Sequence, residues 1–156
     1  MDDLVGKQAP DFTLLDDEGQ ERSLAEFHGQ TVLLYFYPRD NTPGCTVQAQ
    51  CLRNRMNDLK ALGVQVLGVS ADSVKSHKKF KETHHLNFPL LADTEKKVIN
   101  DYGVWREKTF MGRKFMGISR DSFLIGGDGV VLKQYVQVKP KEHAEMVIAD
   151  VQEMKV

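Results

Sequence analysis

The sequence predicts an α/β fold in which helices flank a central mixed β-sheet. Residues 31–37 form a continuous apolar run of β-branched and aromatic side chains, typical of a strand buried on both faces. A helical stretch and a second apolar strand, residues 64–70, follow, and this strand–helix–strand order favours parallel pairing. Residues 122–125 and 130–136 flank a glycine-rich turn, and such a late hairpin adds antiparallel pairing.

The elements before the second strand can be assigned in order. Residues 11–15 and 21–24 flank the turn sequence Asp-Asp-Glu-Gly, which predicts an N-terminal β-hairpin. Pro38 ends the first apolar strand, and a helix is predicted over residues 45–61, stopping near Gly63. Its apolar side chains recur at helical spacing along one face: Ala49, Leu52, Met56 and Leu59.

The remaining elements are shorter. The pattern predicts a polar helix over 73–84, a strand over 88–91, a helix over 94–102 and a closing helix over 141–154. Between the last two helices lies a group of large apolar side chains, Phe110, Met111, Phe115 and Met116. We expect them to pack in the core or within a loop, in preference to lining an apolar entrance to a site.

Composition limits the function classes. The 156 residues predict one domain over 1–156, with 41% hydrophobic and 28% charged residues, as in ordinary globular proteins. The formal net charge of −1 gives no basic excess for a nucleic-acid partner, and the basic stretch 75–81 is expected to be a solvated helix face. No apolar run reaches the ~20 residues of a membrane span, and the acidic N-terminus does not resemble a secretory signal. We therefore expect no membrane partner and a cytoplasmic location.

The two cysteines, Cys45 and Cys51, are too few for a structural zinc site by themselves. His84 and His85 are adjacent and far along the chain from both cysteines, so we predict no metal site. In a reducing compartment such a pair is more often catalytic or inert than a structural disulfide.

Cys45 lies where a buried strand passes through a turn into a helix. A cysteine at a helix N-terminus is near unpaired N–H groups and the positive end of the helix dipole, both of which favour the reactive thiolate. Thr42 offers a nearby hydroxyl, Pro38 shields the sulfur from water, and Gly44 lets the backbone approach a small ligand. Cysteine is also a common packing residue, and this remains the alternative for an isolated Cys45.

The segment YFYPRDNTPGCTVQAQ resembles the active-site segment of the peroxiredoxins, most closely the PrxQ or bacterioferritin comigratory protein group. The family pattern of Pro, three residues, Thr, two residues and Cys is met by Pro38, Thr42 and Cys45. Further landmarks along nearly the whole chain are GKQAPDFTLLDDEG, FPLLAD, YGVW and SRDSFLIGGDG. The resemblance implies a thioredoxin-like fold and a monomeric thiol-specific peroxidase for hydrogen peroxide and organic hydroperoxides, with no metal, haem or flavin.

The resemblance also assigns roles to individual residues. It places Arg120 beside the thiolate, where a permanent cation stabilises the sulfur and the charge developing on the peroxide. Taken alone, Arg120 would instead be expected in a surface ion pair with a carboxylate such as Asp121. Peroxide is then bound by Pro38, Thr42, Gly44 and Arg120, and Cys45 is oxidised to a sulfenic acid. A dithiol reductant of the thioredoxin type restores the thiol.

The second thiol departs from the family pattern. Many PrxQ proteins carry the resolving cysteine five residues after the first, where this chain has Gln50, and Cys51 lies one residue later. Other relatives carry it on the next helix, but residues 73–84 contain no cysteine. Cys51 is therefore the candidate for an intramolecular disulfide with Cys45. Gln48 occupies a position where relatives often have Glu, and an amide cannot serve as a carboxylate base.

Helical geometry tests this pairing. Cα atoms six positions apart in a helix are about 10 Å apart, whereas a disulfide requires less than about 7 Å. The first helical turns must therefore unwind before the bond forms. At ~100° per residue, Cys45 faces the core, Gln50 faces solvent and Cys51 lies on the flank between them.

Three alternatives stay open at this point. Cys51 could be inert in a one-Cys peroxidase, or the protein could be a redox-sensing or holdase module in which Cys45 is only a sensor. A disulfide oxidoreductase of thioredoxin type is disfavoured because the chain has no Cys-x-x-Cys motif.

Overall fold

A seven-stranded mixed β-sheet forms the centre of the computed structural model, which describes residues 4–154. A separate two-stranded hairpin lies outside this sheet. The strands are β1 (Thr13–Asp16), β2 (Glu21–Ser23), β3 (Thr31–Phe36), β4 (Val64–Ser70), β5 (Leu90–Ala92), β6 (Trp105–Phe110), β7 (Arg113–Ile118), β8 (Ser122–Ile125) and β9 (Val131–Tyr135). The helices are α1 (Pro43–Asn54), α2 (Met56–Ala61), α3 (Val74–His84), α4 (Lys97–Asp101) and α5 (His143–Met154), with a 3-10 helix at Leu24–Phe27.

The strand order in the main sheet is β2, β1, β5, β4, β3, β8, β9. Strands β3, β4 and β5 pair in parallel, while β8 and β9 continue the sheet antiparallel on the other side of β3. β1 and β2 form the predicted N-terminal hairpin, and β1 pairs antiparallel with β5. The mixed sheet that was predicted from the order of the elements is thus confirmed.

Both faces of the sheet are covered. Leu33 and Tyr35 of β3 point into a core shared with α1, α2, α3 and α5, while Leu34 and Phe36 point into a core shared with α4 and the 3-10 helix. This alternation is the two-residue period of a strand, and it confirms the prediction that the first apolar run is buried on both faces. Gly68 of β4 makes room for the Tyr35 ring, because a Cβ there would lie 2.9 Å from the Tyr35 Cζ.

The helix predicted over 45–61 is two helices, which makes that prediction wrong in one respect. Helix α1 begins with Pro43 at its first position, ends at Asn54, and is followed by a break at Arg55. The Arg55 side chain forms ion pairs with Asp58 and with Glu145 of α5. The apolar spacing, which continues through both helices, did not indicate this break.

The hairpin of β6 and β7 was not indicated by the sequence pattern. At its turn Met111 and Gly112 both have positive φ, at 51° and 78°. Such turns favour Asn, Asp or Gly at both central positions, so Met111 concealed the signal. Phe110 and Met111 are 68% and 87% exposed, and Phe115 and Met116 are about half exposed. The prediction that these four side chains pack in the core or within a loop is wrong.

The other elements match the predictions to within a few residues. The largest offset is at α4, which begins three residues later than predicted. Within residues 4–154, no helix combines the length and the apolar character that crossing a membrane requires.

Candidate active site

Cys45 lies in the first turn of α1, just beyond the end of β3. Thr42 is the N-cap residue, Pro43 the first helical residue, and Cys45 the third. The N–H groups of Gly44 and Cys45 have no acceptor within the helix, so they and the helix dipole are available to a negative charge. Cys45 itself is only 1% exposed and free of any disulfide. The sulfur is therefore held in a protected position at the positive end of a helix.

Arg120 lies beside this helical turn because of the sheet register. Strand β8 pairs antiparallel with β3, and Ser122 stands opposite Tyr35, so the residues before β8 lie next to the end of β3. The Arg120 Nη2 lies 3.0 Å from the position that a Cβ on Gly44 would occupy. The guanidinium thus rests directly on the Gly44 backbone, one residue from Cys45.

The alternative surface ion pair between Arg120 and Asp121 is wrong. Asp121 is fully buried and pairs instead with Arg106, whose Nη2 lies 2.7 Å from the Asp121 Oδ2. The Ser119 hydroxyl also donates to this carboxylate, over 2.7 Å. The Asp121 carboxylate is thereby paired with Arg106 and Ser119, and the Arg120 guanidinium turns towards α1.

Thr42 and Pro38 lie in the segment between β3 and α1. The Thr42 hydroxyl donates to the Arg39 carbonyl over 2.8 Å, which leaves its oxygen free to accept a hydrogen bond. Both residues border a cleft of about 540 Å³ whose opposite wall is the β6–β7 hairpin. The hairpin side chains that line the cleft are Trp105, Lys108, Phe115, Met116 and Ile118.

The lining of the cleft bears on the alternative that the four apolar side chains of residues 110–116 form an entrance to the site. Phe115 and Met116 line it, whereas Phe110 and Met111 do not. Lys108 is a residue that sequence reasoning missed, because no strand was indicated in its region. Partial burial lowers the pKa of Lys108, the Arg120 charge lowers it further, and the charge of Cys45 acts in the opposite direction.

Gln48, His143 and Ser122 form a buried polar chain behind the site. The Arg120 Nη1 donates to the Gln48 Oε1 over 2.7 Å. The Gln48 Nε2 lies 3.1 Å from the His143 Nδ1, and the His143 Nε2 lies 2.7 Å from the Ser122 Oγ. Burial lowers the pKa of His143 to about 4, and the positive charge of Arg120 contributes to the same shift. Among these hydrogen-bonded side chains, the sequence had indicated only Arg120 and Gln48, the latter because relatives often have Glu at its position.

Asp40 anchors the loop that precedes Cys45. Its carboxylate accepts from the Tyr37 hydroxyl over 2.6 Å and from the Ser76 hydroxyl over 2.8 Å. The His77 Nδ1 of α3 lies 2.8 Å from the same carboxylate, and both side chains of this pair are essentially unexposed. The loop is thus tied to α3 by a buried polar cluster.

Asp40, Asp72 and His77 are also close enough to hold a metal ion, with their ligand atoms within 4.8 Å of one another. Hydrogen bonds already occupy these atoms, however. The Asp72 Oδ2 accepts from the Asp40 backbone N–H and the Ser70 hydroxyl, and the His77 Nε2 donates to the Leu91 carbonyl. The cluster is thus fully explained as an anchor.

Cys51 is half-buried and packs against the core that contains Leu52. This confirms the predicted flank position, and the burial of Cys45 confirms that it faces the core. Gln50 is half-buried rather than fully exposed, because its Nε2 lies 3.4 Å from the His84 Nδ1 at the end of α3.

Comparison with known proteins identifies the family. The family model described as the AhpC/TSA family matches residues 5–134. The chain belongs to this family. It is 47% identical over 144 residues to the putative peroxiredoxin bcp of Haemophilus influenzae, covering 92% of this chain and 93% of the relative. It is 46% identical to peroxiredoxin Bcp of Escherichia coli K12, covering 92% of each.

Solved structures confirm the thioredoxin-like fold and the peroxiredoxin Bcp/PrxQ group. The bacterioferritin comigratory protein of Xanthomonas campestris matches with a TM-score of 0.88 at 32% identity, covering 93% of this chain and 92% of that one. A cysteine-to-serine mutant of PrxQ from Xylella fastidiosa matches with a TM-score of 0.92 at 31% identity, covering 97% of each. This chain is thus a Bcp-type thiol peroxidase.

In this peroxiredoxin, Gly44→Ala should separate stability from activity. The added methyl group meets the Arg120 Nη2 at 3.0 Å, so the flexible guanidinium must move away from the first turn of α1. Alanine favours a helix over glycine by up to ~1 kcal/mol, so urea unfolding should show unchanged or higher stability. The second-order rate constant with peroxide should fall about 100-fold, as for the loss of one preorganised hydrogen-bond donor. Thr46→Ala is the control, and an equal rate for both variants would contradict the prediction.

His143 should make stability depend on pH. Folding lowers its pKa from 6.5 to about 4, so the unfolded chain binds the proton more readily between these values. The contribution to stability is complete above about pH 6.5 and is lost as pH falls to about 4, on the order of 3 kcal/mol at most. Urea unfolding across this window should show a smaller slope for His143→Asn than for the wild type. Parallel curves would rule the effect out.

Proposed function

We propose that this peroxidase reduces hydrogen peroxide and organic hydroperoxides with Cys45 as the nucleophile, and that thioredoxin or a similar dithiol restores it. The observation that carries the proposal is the buried Cys45 in the first turn of α1, with the Arg120 guanidinium resting on Gly44. A thiol peroxidase needs a stabilised thiolate next to a cation that can also meet the developing charge on oxygen. Single-domain organisation, a monomeric state and a cytoplasmic location stay predictions from the sequence.

The first step is attack of the Cys45 thiolate on one peroxide oxygen. A sulfur–oxygen bond forms as the oxygen–oxygen bond breaks, and the departing oxygen takes up a proton to leave as water or an alcohol. Arg120 and the N–H groups of Gly44 and Cys45 stabilise the negative charge on that oxygen. The Thr42 oxygen, whose own hydrogen is donated to Arg39, accepts the hydrogen of the peroxide and orients it.

The cleft beside Pro38 and Thr42 supports organic hydroperoxides as substrates. Its volume of about 540 Å³ far exceeds the need of hydrogen peroxide, and Trp105, Phe115 and Met116 form the apolar part of a lining that also carries charged side chains. An alkyl group can occupy the cleft while the peroxide group lies at Thr42. The Xanthomonas campestris relative is described in terms of alkyl peroxide reduction activity.

We further propose that Cys51 resolves the sulfenic acid of Cys45. Its thiolate attacks the Cys45 sulfur, a disulfide forms, and the sulfenic oxygen leaves with a proton as water. Both residues lie in α1, about 10 Å apart by helical geometry, so the first turns must unwind. The break at Arg55 favours this step, because unwinding of α1 need not disturb α2.

Mass spectrometry after one equivalent of peroxide tests this cycle. The wild type should lose the mass of two hydrogens through a Cys45–Cys51 disulfide, whereas Cys51→Ser should retain a sulfenic acid at Cys45. A persistent sulfenic acid with free Cys51 in the wild type would show a one-Cys enzyme. Catalytic peroxide consumption with thioredoxin, its reductase and NADPH tests the reductant. If the protein instead suppresses aggregation as Cys45→Ser and consumes no peroxide, the holdase alternative holds.

Asp40→Asn should make α1 unwind more readily. The amide keeps the size of the side chain but removes the charge that His77, Tyr37 and Ser76 bind, and breaking such a buried pair is strongly unfavourable. Amide hydrogen exchange in the first turns of α1 should rise at least about 10-fold, and the disulfide should form faster. Asp58→Asn, which alters an exposed carboxylate paired with Arg55, is the matched control. Equal exchange in the two variants would show that Asp40 does not anchor the helix.

A further inference from the structure

Three fully buried polar side chains stand behind Arg120, and they come from three different elements. Gln48 belongs to α1, His143 to α5 and Ser122 to β8, and none of them is exposed. Buried polar groups cost free energy unless hydrogen bonds satisfy them, so their contacts constrain where each hydrogen lies. This row of hydrogen-bonded side chains ends at the Arg120 guanidinium. Because a guanidinium can only donate hydrogen bonds, it fixes the starting point for assigning the hydrogens.

The hydrogens can be assigned outward from Arg120. Its Nη1 donates over 2.7 Å, so the atom of Gln48 that faces it must be the carbonyl oxygen Oε1. The Gln48 amide nitrogen then donates to His143, whose Nδ1 must be unprotonated to accept over 3.1 Å. A neutral imidazole carries its hydrogen on Nε2, which donates to the Ser122 hydroxyl over 2.7 Å. One arrangement satisfies all three contacts.

The other protonation states of His143 break this arrangement. If Nδ1 carried a hydrogen, it would meet the amide nitrogen of Gln48, and two donors would face each other. Rotation of the Gln48 amide would relieve that clash but turn its nitrogen towards Arg120, where two donors would meet again. The state of His143 therefore determines which end of the Gln48 amide faces the guanidinium.

The surroundings hold His143 in the required state and place. The rings of Tyr35 and Tyr135 flank the buried imidazole, with centroids 5.9 Å and 6.2 Å away. Burial disfavours the imidazolium, and the Arg120 charge acts in the same direction.

We infer that His143 is a positioning residue for peroxide reduction: as a neutral acceptor it orients the Gln48 amide, which holds Arg120 over the first turn of α1. His143 touches neither the sulfur nor the peroxide, and acts only through Gln48. The inference rests on the proposed role of Arg120 at the peroxide. The inference also gives a reason for the neutral Gln48. A carboxylate at this position would accept from both Arg120 and His143 and would partly cancel the guanidinium charge.

Two substitutions at His143 separate positioning from packing. In His143→Asn, the Oδ1 lies two bonds from Cβ, as Nδ1 does, and can still accept from Gln48. In His143→Gln, the amide end lies where Nε2 was, so the contact with Ser122 is kept and the contact with Gln48 is lost. The second-order rate constant of Cys45 with peroxide should fall about 10-fold in His143→Gln, as for one lost buried hydrogen bond. His143→Asn should recover most of that loss.

A matched control is the contact between Gln50, which lies on α1 with Gln48, and His84 of α3. Gln50 meets His84 through the same pair of atom types, at 3.4 Å, but with no connection to Arg120. His84→Gln should therefore leave the rate constant unchanged. Equal rate constants for the two His143 variants, or losses that follow their stability in urea, would overturn the inference.

Two further measurements keep the test decisive. Nitrogen-15 NMR of the wild type should show His143 protonated at Nε2 and unprotonated at Nδ1, and a hydrogen on Nδ1 would overturn the inference even if the variants fail to fold. Arg120→Met distinguishes the two proposals. If Arg120→Met reacts as fast as the wild type, the proposed role of Arg120 fails. If it is slow while His143→Gln is fast, only the positioning role of His143 fails.

Discussion

The contact between the Arg120 guanidinium and the first turn of α1 is the interaction on which the site depends. It brings a permanent cation to the helix terminus that holds Cys45, and it requires that residue 44 have no side chain. The register of β8 against β3 sets its position, because Ser122 stands opposite Tyr35 and the residues before it reach the end of β3. The positive end of a helix and a guanidinium are two groups that stabilise negative charge at this place.

The proposed disulfide between Cys45 and Cys51 requires that the same site open. Cys45 is almost completely buried, yet a disulfide with Cys51 requires that the first turns of α1 unwind. The loop before Cys45 is held largely by the polar contacts of Asp40 rather than by a large apolar side chain. Hydrogen bonds depend steeply on geometry, so they define the closed arrangement sharply and are lost together when the loop leaves.

Most of the fold was predictable because its signals are local. The apolar run of β3, the turn residues of the N-terminal hairpin and the strand–helix order all lie within short stretches of sequence. The β6–β7 hairpin was missed because Met111 adopts a positive φ that the residue type does not indicate. The break at Arg55 was missed because the apolar spacing continues from α1 into α2, with Leu52 and Met56 four residues apart. In both cases the local sequence pattern did not indicate the outcome.

The sequence by itself determined which groups surround Cys45. Pro38, Thr42, Gly44 and Cys45 are neighbours in the chain, so a strand, a turn and a helix start bring them together wherever this segment folds. Only the tertiary structure decided how the site is supported. Gln48 and His143 are separated by 95 residues, and their hydrogen bond exists because α1 and α5 pack on the same face of the sheet. Local patterns specify which groups lie around the cysteine, whereas long-range packing specifies which buried groups hold them in place.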